Sequence, residues 1–471
     1  MEAVNHLTQE HIIIHKLLNC SEENYFDCSR KYCLKRLNGI TNTVYLVEVD
    51  KIEKSDINDE ETIQQDKNNF FTNPNDFKFI LRIYGELGKN ADRNLENQII
   101  HYLSKKNLVA KIITVGDIYR IEEYLEGYED STKEELLMNI ETIIDILIEF
   151  NFQKYYKFQK EVKTEEDDEK INQNESKFIK FKIDNNSHNS LNDKVNKVDQ
   201  TSPNHLIQEK NKILEYIDNV IINSYNKEQI KLNSRIQYDK KNSEELNIIN
   251  MHFNQRVKEI LRIKDMIQKL DSIVEQIVPL NGVLVMTHND VHKGNIMMKT
   301  SLRARELDEN FIKLMDFEYS KLSLLGYDFI NLNMEFCFDY VTTPFTFYEF
   351  DYEGSYNYFK IYAERFINKL NKENGESYID ESLAIFLKSE EYFRSLCKLC
   401  CIFWISGMTV VDKCIEINDE SLELLIEKAK LNKIENKTNM TKENNLFSME
   451  SFDYVHYLGL KFDLLDSLLM V

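Results

Sequence analysis

The stretch His288-Asn-Asp-Val-His-Lys-Gly-Asn295 follows directly on the apolar run GVLVM (282–286) and Thr287. It packs two histidines, an aspartate, a lysine and two asparagines into one short segment. An apolar run that stops at a charged cluster reads as a strand delivering a loop. A second short apolar piece, NIMM (295–298), comes next, and FIKLMDFEYS (311–320) is another apolar strand that ends on Asp316. One polar turn after a strand is ordinarily only a turn. Two in order, each presenting a carboxylate, point to a place where chemistry is done.

The totals agree with an enzyme-sized fold. With 471 residues, 42% of them apolar, the chain is long enough for two or three domains or for one two-lobed enzyme with insertions. Its 80 acidic against 59 basic side chains leave a formal charge of −21, which repels nucleic acid and anionic membrane and favours cationic ligands. No apolar run approaches the roughly 20 residues that span a bilayer, and the start MEAVNHLTQEH has no basic or apolar leader, so a cytoplasmic protein is expected. Eight scattered cysteines suit free thiols in a reducing compartment. Only Cys397, Cys400 and Cys401 have metal-like spacing, and their apolar neighbours LCCIFWI read as a buried helix face rather than a zinc site.

Upstream, VYLVEV (44–49) and FKFILRIYG (77–85) read as strands around a solvated loop. ADRNLENQIIHYLSKKN (91–107) then sets Leu95, Ile99, Ile100, Tyr102 and Leu103 on one helical stripe. KIITVG and YRIEEYL form a strand pair, and KEELLMNIETIIDILIEF (133–150) reads as one periodic helix. Residues 159–210 are polar, Asn-rich and without apolar periodicity, which predicts a disordered insertion. Helical patterns dominate afterwards. The expected fold is α+β: a small β-sheet lobe with one helix (1–125) and a larger, mostly helical lobe (126–471).

His-x-Asp with Asn295 five residues after Asp290, followed by a strand ending in Asp-Phe, is the arrangement protein kinases use. Moving a γ-phosphoryl group needs a divalent metal on its oxygens and a carboxylate within reach of the attacking hydroxyl, and hard cations want oxygen ligands. Gly39-Ile-Thr-Asn42 forms a turn between apolar segments, where backbone N–H groups can cover phosphate. Arg82 lies mid-strand, and Glu96 follows 14 residues later in the predicted helix, so a strand cation paired to a helix carboxylate is expected.

THNDVHKGNIM followed by LMDFEYSKLSLLGYDFINLNMEF resembles the choline/ethanolamine kinase family, whose hallmarks are an HNDxxxxN loop and a DFEYS segment continuing to G-Y-D-F-x-N and Glu. ILRIYG, ADRNLENQIIHYLSKKNLVAKII and YRIEEYLEG are further similar stretches in the same order, so the likeness runs over about 35–150 and 280–415. The resemblance implies a protein-kinase-like fold, with ATP and Mg²⁺ as cofactors. It implies Asp290 as catalytic base, Asn295 and Asp316 on metal and phosphate, and Glu318 assisting the metal. It also implies ATP contacts from Gly39, Ile40, Thr41, Asn42, Arg82, the hinge Glu123 to Leu125, and His292. Tyr319, Glu335, Tyr340 and Trp404 fall on positions that hold the substrate cation by aromatic faces and charge.

Four departures from the family pattern stand out: His292, on the ATP side, where the family often has Gln, Gly407 where a second Trp of the cage is usual, Phe336 where Trp is usual, and no His in IDILIEFNF, where the family usually ends the helix after the hinge with one. The expected activity is phosphorylation of choline to phosphocholine, the first step of phosphatidylcholine synthesis in this family. Ethanolamine kinase is the alternative, and a catalytically inactive kinase-like scaffold is the alternative of another class. The presence of Asp290, Asn295 and Asp316 together argues against that scaffold. Nothing after DFEYS resembles the activation segment of a protein kinase. The small alcohol is the expected partner, with neither nucleic acid nor membrane insertion, and the resemblance adds a homodimer, on which the residues themselves are silent.

Overall fold

The computed structural model describes residues 10, 13, 14, 32–37, 42–49, 77–85, 92–152, 155–160, 181–183, 203–277, 281–299, 311–339, 346–374, 378–414, 419–436 and 454–470. The chain divides into two compact units, Met1–Ser131 with Gly294–Tyr319, and Thr132–Lys293 with Ser320–Val471. It forms the expected α+β, kinase-like fold.

In the first unit, β1 (Tyr32–Leu37), β2 (Asn42–Val49) and β3 (Phe77–Tyr84) precede α1 (Arg93–Ser104), and β4 (Ile112–Val115), β5 (Tyr119–Glu123) and β6 (Tyr128–Asp130) follow it. The first five strands form one antiparallel sheet in the order β1-β2-β3-β5-β4. β-branched and aromatic side chains favour that pleated surface, and Val47, Val49, Phe79, Leu81, Ile83 and Ile121 form its core with Ile13 and Ile14. Burying each is worth about 1.5–3 kcal/mol over leaving it exposed. α1 starts at Asp92, whose side chain accepts from the Leu95 N–H at 3.1 Å. It buries Ile99, Ile100 and Leu103 as its spacing predicts, but Tyr102 is exposed, and the fourth buried residue is Glu96.

The second unit opens with α2 (Lys133–Met138) and α3 (Ile140–Asn151). The sequence reads these as one helix, but Asn139 breaks it, leaving helical geometry at φ −113° and donating through Nδ2 to the Glu135 carbonyl at 2.7 Å. Asparagine competes with the helix by such local bonds. Then come β7 (Tyr155–Lys160), β8 (Phe181–Ile183) and α4 (Pro203–Tyr216). Within the stretch 159–210, residues 161–180 and 184–202 lie outside the described residues, and α4 begins inside it. α4 runs through a wider turn at Ile217–Ile221 into α5 (Ile222–Tyr238), followed by α6 (Ser243–Gln268), α7 (Leu270–Ile277) and β9 (Asn281–Thr287).

The first unit resumes with β10 (Ile296–Lys299) and β11 (Ile312–Leu314), which join β6 in a second small sheet. The second unit returns with β12 (Lys321–Leu324), which completes the sheet β12-β9-β7-β8. After it come α8 (Tyr327–Glu335), the short pair β13 (Phe338–Asp339) and β14 (Thr346–Phe347), α9 (Tyr352–Asn374), α10 (Glu381–Leu387) and α11 (Glu390–Ile402). A 3-10 segment Phe403–Cys414, α12 (Asp419–Asn436) and α13 (Tyr454–Leu469) close the chain. Gly326 leads into α8 with φ +90°, and a Cβ there would come within 2.5 Å of the Phe359 ring, so glycine is required on both counts. Cys397, Cys400 and Cys401 are buried on α11, and burial pushes all three thiols up, as a structural helix face requires. Among the described residues no helix is long and apolar enough to cross a membrane.

Candidate active site

β9 ends at Thr287 and delivers the loop of Asp290, whose backbone is held from both sides by α8. Asp328, Asn331 and Glu335 lie at i, i+3 and i+7, one stripe of a helix that is buried along its whole length. The fully buried Asp328 carboxylate accepts the N–H groups of His288 and Asn289, each at 2.9 Å, and Asn151 Nδ2 at 3.0 Å. Asn151 in turn accepts from Tyr362 Oη at 2.6 Å. Asn331 Nδ2 donates to the Val291 carbonyl at 3.1 Å. These bonds fix the left-handed turn at Asn289, φ 65°, so that Asp290 sits between two pinned peptide groups. Burial raises the Asp328 carboxyl to about 6, against the lowering effect of those three donors.

The Asp290 side chain is about a quarter exposed, with His292 Nε2 3.8 Å from its Oδ2, too far for a hydrogen bond. Lys293 Nζ stands 3.7 Å from Asp339. The spacing of Asp328 within GYDF is visible in the sequence, but its work as the anchor of the Asp290 loop is not.

In the first unit, Asp316 lies just past β11 in left-handed backbone, φ 61°. Its neighbour Met315 donates its N–H to the carbonyl of the buried Asn295 at 2.9 Å, which ties the two proposed metal residues to one backbone junction. Asp316 Oδ2 meets Arg82 Nη1 at 3.4 Å, while Oδ1 is buried without a hydrogen-bond partner.

Arg82 belongs to a larger ionic network, and here the sequence expectation needs correcting. It pairs with Glu122 at 3.1 Å, not with Glu96 of α1. The register sets Arg82 directly opposite Arg120 on neighbouring strands, a like-charge pair that the sheet alone would not tolerate. Glu122, two residues along β5 and so on the same face, bridges both and meets Arg120 at 2.7 Å. Glu96 takes the far side of Arg120 at 3.0 Å and Arg93 at 2.8 Å. Burial opposes the charge on Arg82, but Glu122 and Asp316 outweigh it and hold the guanidinium charged. Burial likewise opposes ionisation of Glu122, and Arg82 and Arg120 win, keeping that carboxyl below its usual range.

Asn42 and Glu318 also sit in this network. Asn42 Nδ2 donates to Glu318 Oε2 at 3.2 Å, and Arg93 approaches the same oxygen at 3.4 Å. Among the described residues, the network sets the carboxylates of Glu96, Glu122, Asp316 and Glu318 against the guanidiniums of Arg82, Arg93 and Arg120, an excess of one negative charge. An excess carboxylate beside an orphaned buried oxygen fits a divalent cation. Magnesium takes one or two protein carboxylates and completes its shell with water and phosphate, so it needs no cage. Indeed, no cluster of three His, Cys, Asp or Glu side chains able to hold a metal occurs among the described residues.

Gly39, Ile40, Thr41 and Tyr340 lie outside the described residues. Glu123 ends β5 opposite Phe79, its N–H donating to the Lys111 carbonyl at 2.8 Å, and the Leu125 carbonyl accepts from Tyr128 in the next turn. Tyr319 is half-buried at the end of the first unit. In the second unit, Trp404 is half-buried at a kink, φ −88° and ψ 16°, just past α11, edge-on to Phe403 at 5.3 Å.

Glu335 is buried, and its Oε1 accepts from Tyr457 Oη at 2.9 Å and Lys461 Nζ at 2.8 Å. Neither partner was foreseen from the sequence. Both come from α13, more than a hundred residues beyond Glu335.

Comparison with known proteins bears on this geometry. The model of the choline/ethanolamine kinase family matches residues 35–465. Among solved structures, a choline kinase from Cryptosporidium parvum is 17% identical, with 98% of this chain and 95% of that one covered and a TM-score of 0.42. A Plasmodium vivax ethanolamine kinase is 15% identical, covering 97% of this chain and 86% of that one at a TM-score of 0.40. The Streptococcus pneumoniae choline kinase LicA, in a complex with AMP, is 12% identical over 92% of this chain and 99% of that one at 0.40. At such identities and TM-scores the likeness carries no information about the alcohol used. No curated protein matches the sequence. With the family's pattern running through nearly the whole sequence, and the loop of Asp290 and the turn of Asp316 built as described, the chain belongs to the choline/ethanolamine kinase family.

Proposed function

We propose that the protein transfers the γ-phosphoryl group of ATP to the hydroxyl of choline, giving phosphocholine and ADP, the first step of phosphatidylcholine synthesis. The observation that carries this reading is Asp316: a buried carboxylate oxygen with no hydrogen-bond partner, in left-handed backbone, beside a charged arginine. Such a group raises the free energy of the empty protein, and a metal–nucleotide complex offsets that cost. Mg²⁺ held by Asp316 and Asn295 would neutralise the phosphoryl oxygens. Arg82 adds a fixed positive charge on the nucleotide side, and Asn42 and Arg93 hold Glu318 in place nearby. Asp290 accepts the proton of the alcohol as its oxygen bonds to phosphorus and the bond to ADP breaks. The three bonds that pin the backbone around Asp290 keep it from swinging away during that transfer.

The acceptor is a cation, and the ring of Trp404 together with the acidic excess of the chain suits a quaternary ammonium, which cannot donate a hydrogen bond. ADP release measured with choline and with ethanolamine side by side, in Mg²⁺, tests the reading. Choline is expected to give the higher kcat/KM. Turnover of neither alcohol, with ATP still bound, would replace the enzyme by a binding scaffold.

A further inference from the structure

Among the described residues of the second unit, the most deeply buried cation is one that the proposed reaction does not use. Lys461 of α13 has a side chain with no exposed surface, 0%, and its Nζ donates to Glu335 Oε1 at 2.8 Å. The same ammonium stands 4.8 Å from the ring centre of Phe338 and 5.2 Å from that of Tyr457. Two aromatic faces and a carboxylate around an ammonium are the means by which proteins recognise organic cations, and here the chain supplies the cation itself. The group lies within electrostatic reach of the reaction. Burial, then the charge of Glu335 and, more weakly, that of Asp290 hold the Tyr457 phenol well above its usual range. Stability alone is a poor explanation, because a buried ion pair is often matched or exceeded by well-packed apolar residues of similar volume.

Glu335 Oε1 already carries two donors, Lys461 and Tyr457. A primary ammonium is recognised by carboxylate acceptors for its N–H groups, whereas a quaternary ammonium asks for aromatic faces and no acceptor. We infer that Lys461 is a specificity-determining residue: together with Tyr457 it withholds the Glu335 carboxylate from a primary ammonium and so biases the acceptor site towards a quaternary one. The inference rests on the proposed phosphorylation of an amino alcohol at this site. Lys461 acts through Glu335 and is a positioning residue.

The test is the ratio of kcat/KM for choline to that for ethanolamine in the full-length protein. Lys461→Met is expected to move the ratio about tenfold towards ethanolamine, the scale of one charge-assisted hydrogen bond made available. Tyr457→Phe moves it in the same direction by about threefold, and Lys461→Arg keeps the original value. The pair Lys461→Met with Glu335→Gln, which removes both charges, abolishes the gain for ethanolamine. A bracing role lowers both alcohols together and leaves the ratio unmoved. An unchanged ratio in Lys461→Met and Tyr457→Phe, with normal turnover by the original protein, overturns the inference alone. Turnover of neither alcohol by the original protein overturns it together with the proposed function. If Lys461→Met does not fold, the double variant and Tyr457→Phe decide.

Discussion

The loop of Asp290 and the turn of Asp316 both pass through left-handed backbone, at Asn289 and at Asp316 itself, but they are secured in opposite ways. Around Asp290 the backbone is held by side chains of the second unit: two N–H groups end on Asp328, one carbonyl on Asn331, and the network closes on Asn151 and Tyr362. Around Asp316 one oxygen is left buried and unanswered. The first arrangement fixes its backbone within the protein alone, as a group that must hold its direction during proton transfer requires. The second is complete only with a ligand, as a group that must bind and release one requires. Asparagine and aspartate tolerate such backbone better than other non-glycine residues, which explains their presence in both places.

This contrast can be broken by substitution. Asp290→Ala is expected to lower kcat by about a thousandfold, within the usual range for a general base, while ATP still raises the melting temperature; loss of ATP binding as well would mean that Asp290 braces rather than reacts. Asp316→Asn removes the charge and keeps the shape. It should reduce turnover by about a hundredfold and shift half-saturation by Mg²⁺ upwards, yet leave the melting temperature of the ligand-free protein unchanged or higher, because a buried anionic oxygen without a donor is gone. Asp328→Ala should do the reverse in stability, costing about 3 kcal/mol in denaturant unfolding by leaving buried donors without an acceptor. Equal stability losses in the two variants would erase the distinction drawn between the loops.

The smallest effect is a pH dependence. Asp328 is raised from 3.8 to about 6 in the folded protein, so its contribution to stability is fully present below 3.8 and is lost as pH rises through 6. Its grip on the Asp290 loop runs the other way, since a protonated carboxyl is a weaker acceptor for two N–H groups. Activity is therefore expected to fall on acidification through about pH 6 without a stability loss from this group. A profile of kcat and of melting temperature from pH 5 to pH 8 on one preparation checks both signs.

What the sequence revealed was local. Asp290, Asn295 and Asp316 stand out because the strands that carry them are short and their spacing is fixed by one loop each. Strand register is not local. Glu122 displaces Glu96 as the partner of Arg82 because β3 and β5 bring Arg82 opposite Arg120, a fact of pairing that no window of residues contains. Lys461 and Tyr457 reach Glu335 from a helix more than a hundred residues further along the chain, a separation that no local pattern spans. The break at Asn139 was hidden for a different reason: the apolar period on its two sides is nearly continuous, and the backbone departs from the helix at that one residue, with its side chain bonded to Glu135.

The anchoring of His288 and Asn289 also has a consequence for exchange with solvent. Loops ordinarily give up their amide hydrogens first, because local opening costs little. Here two consecutive loop amides end on a carboxylate with 0% exposure, itself held by a side chain from α3. Deuterium should enter them only when the core of the second unit opens, on the timescale of its most protected helices, and the peptide around Asp290 should be among the slowest-exchanging loops in the protein.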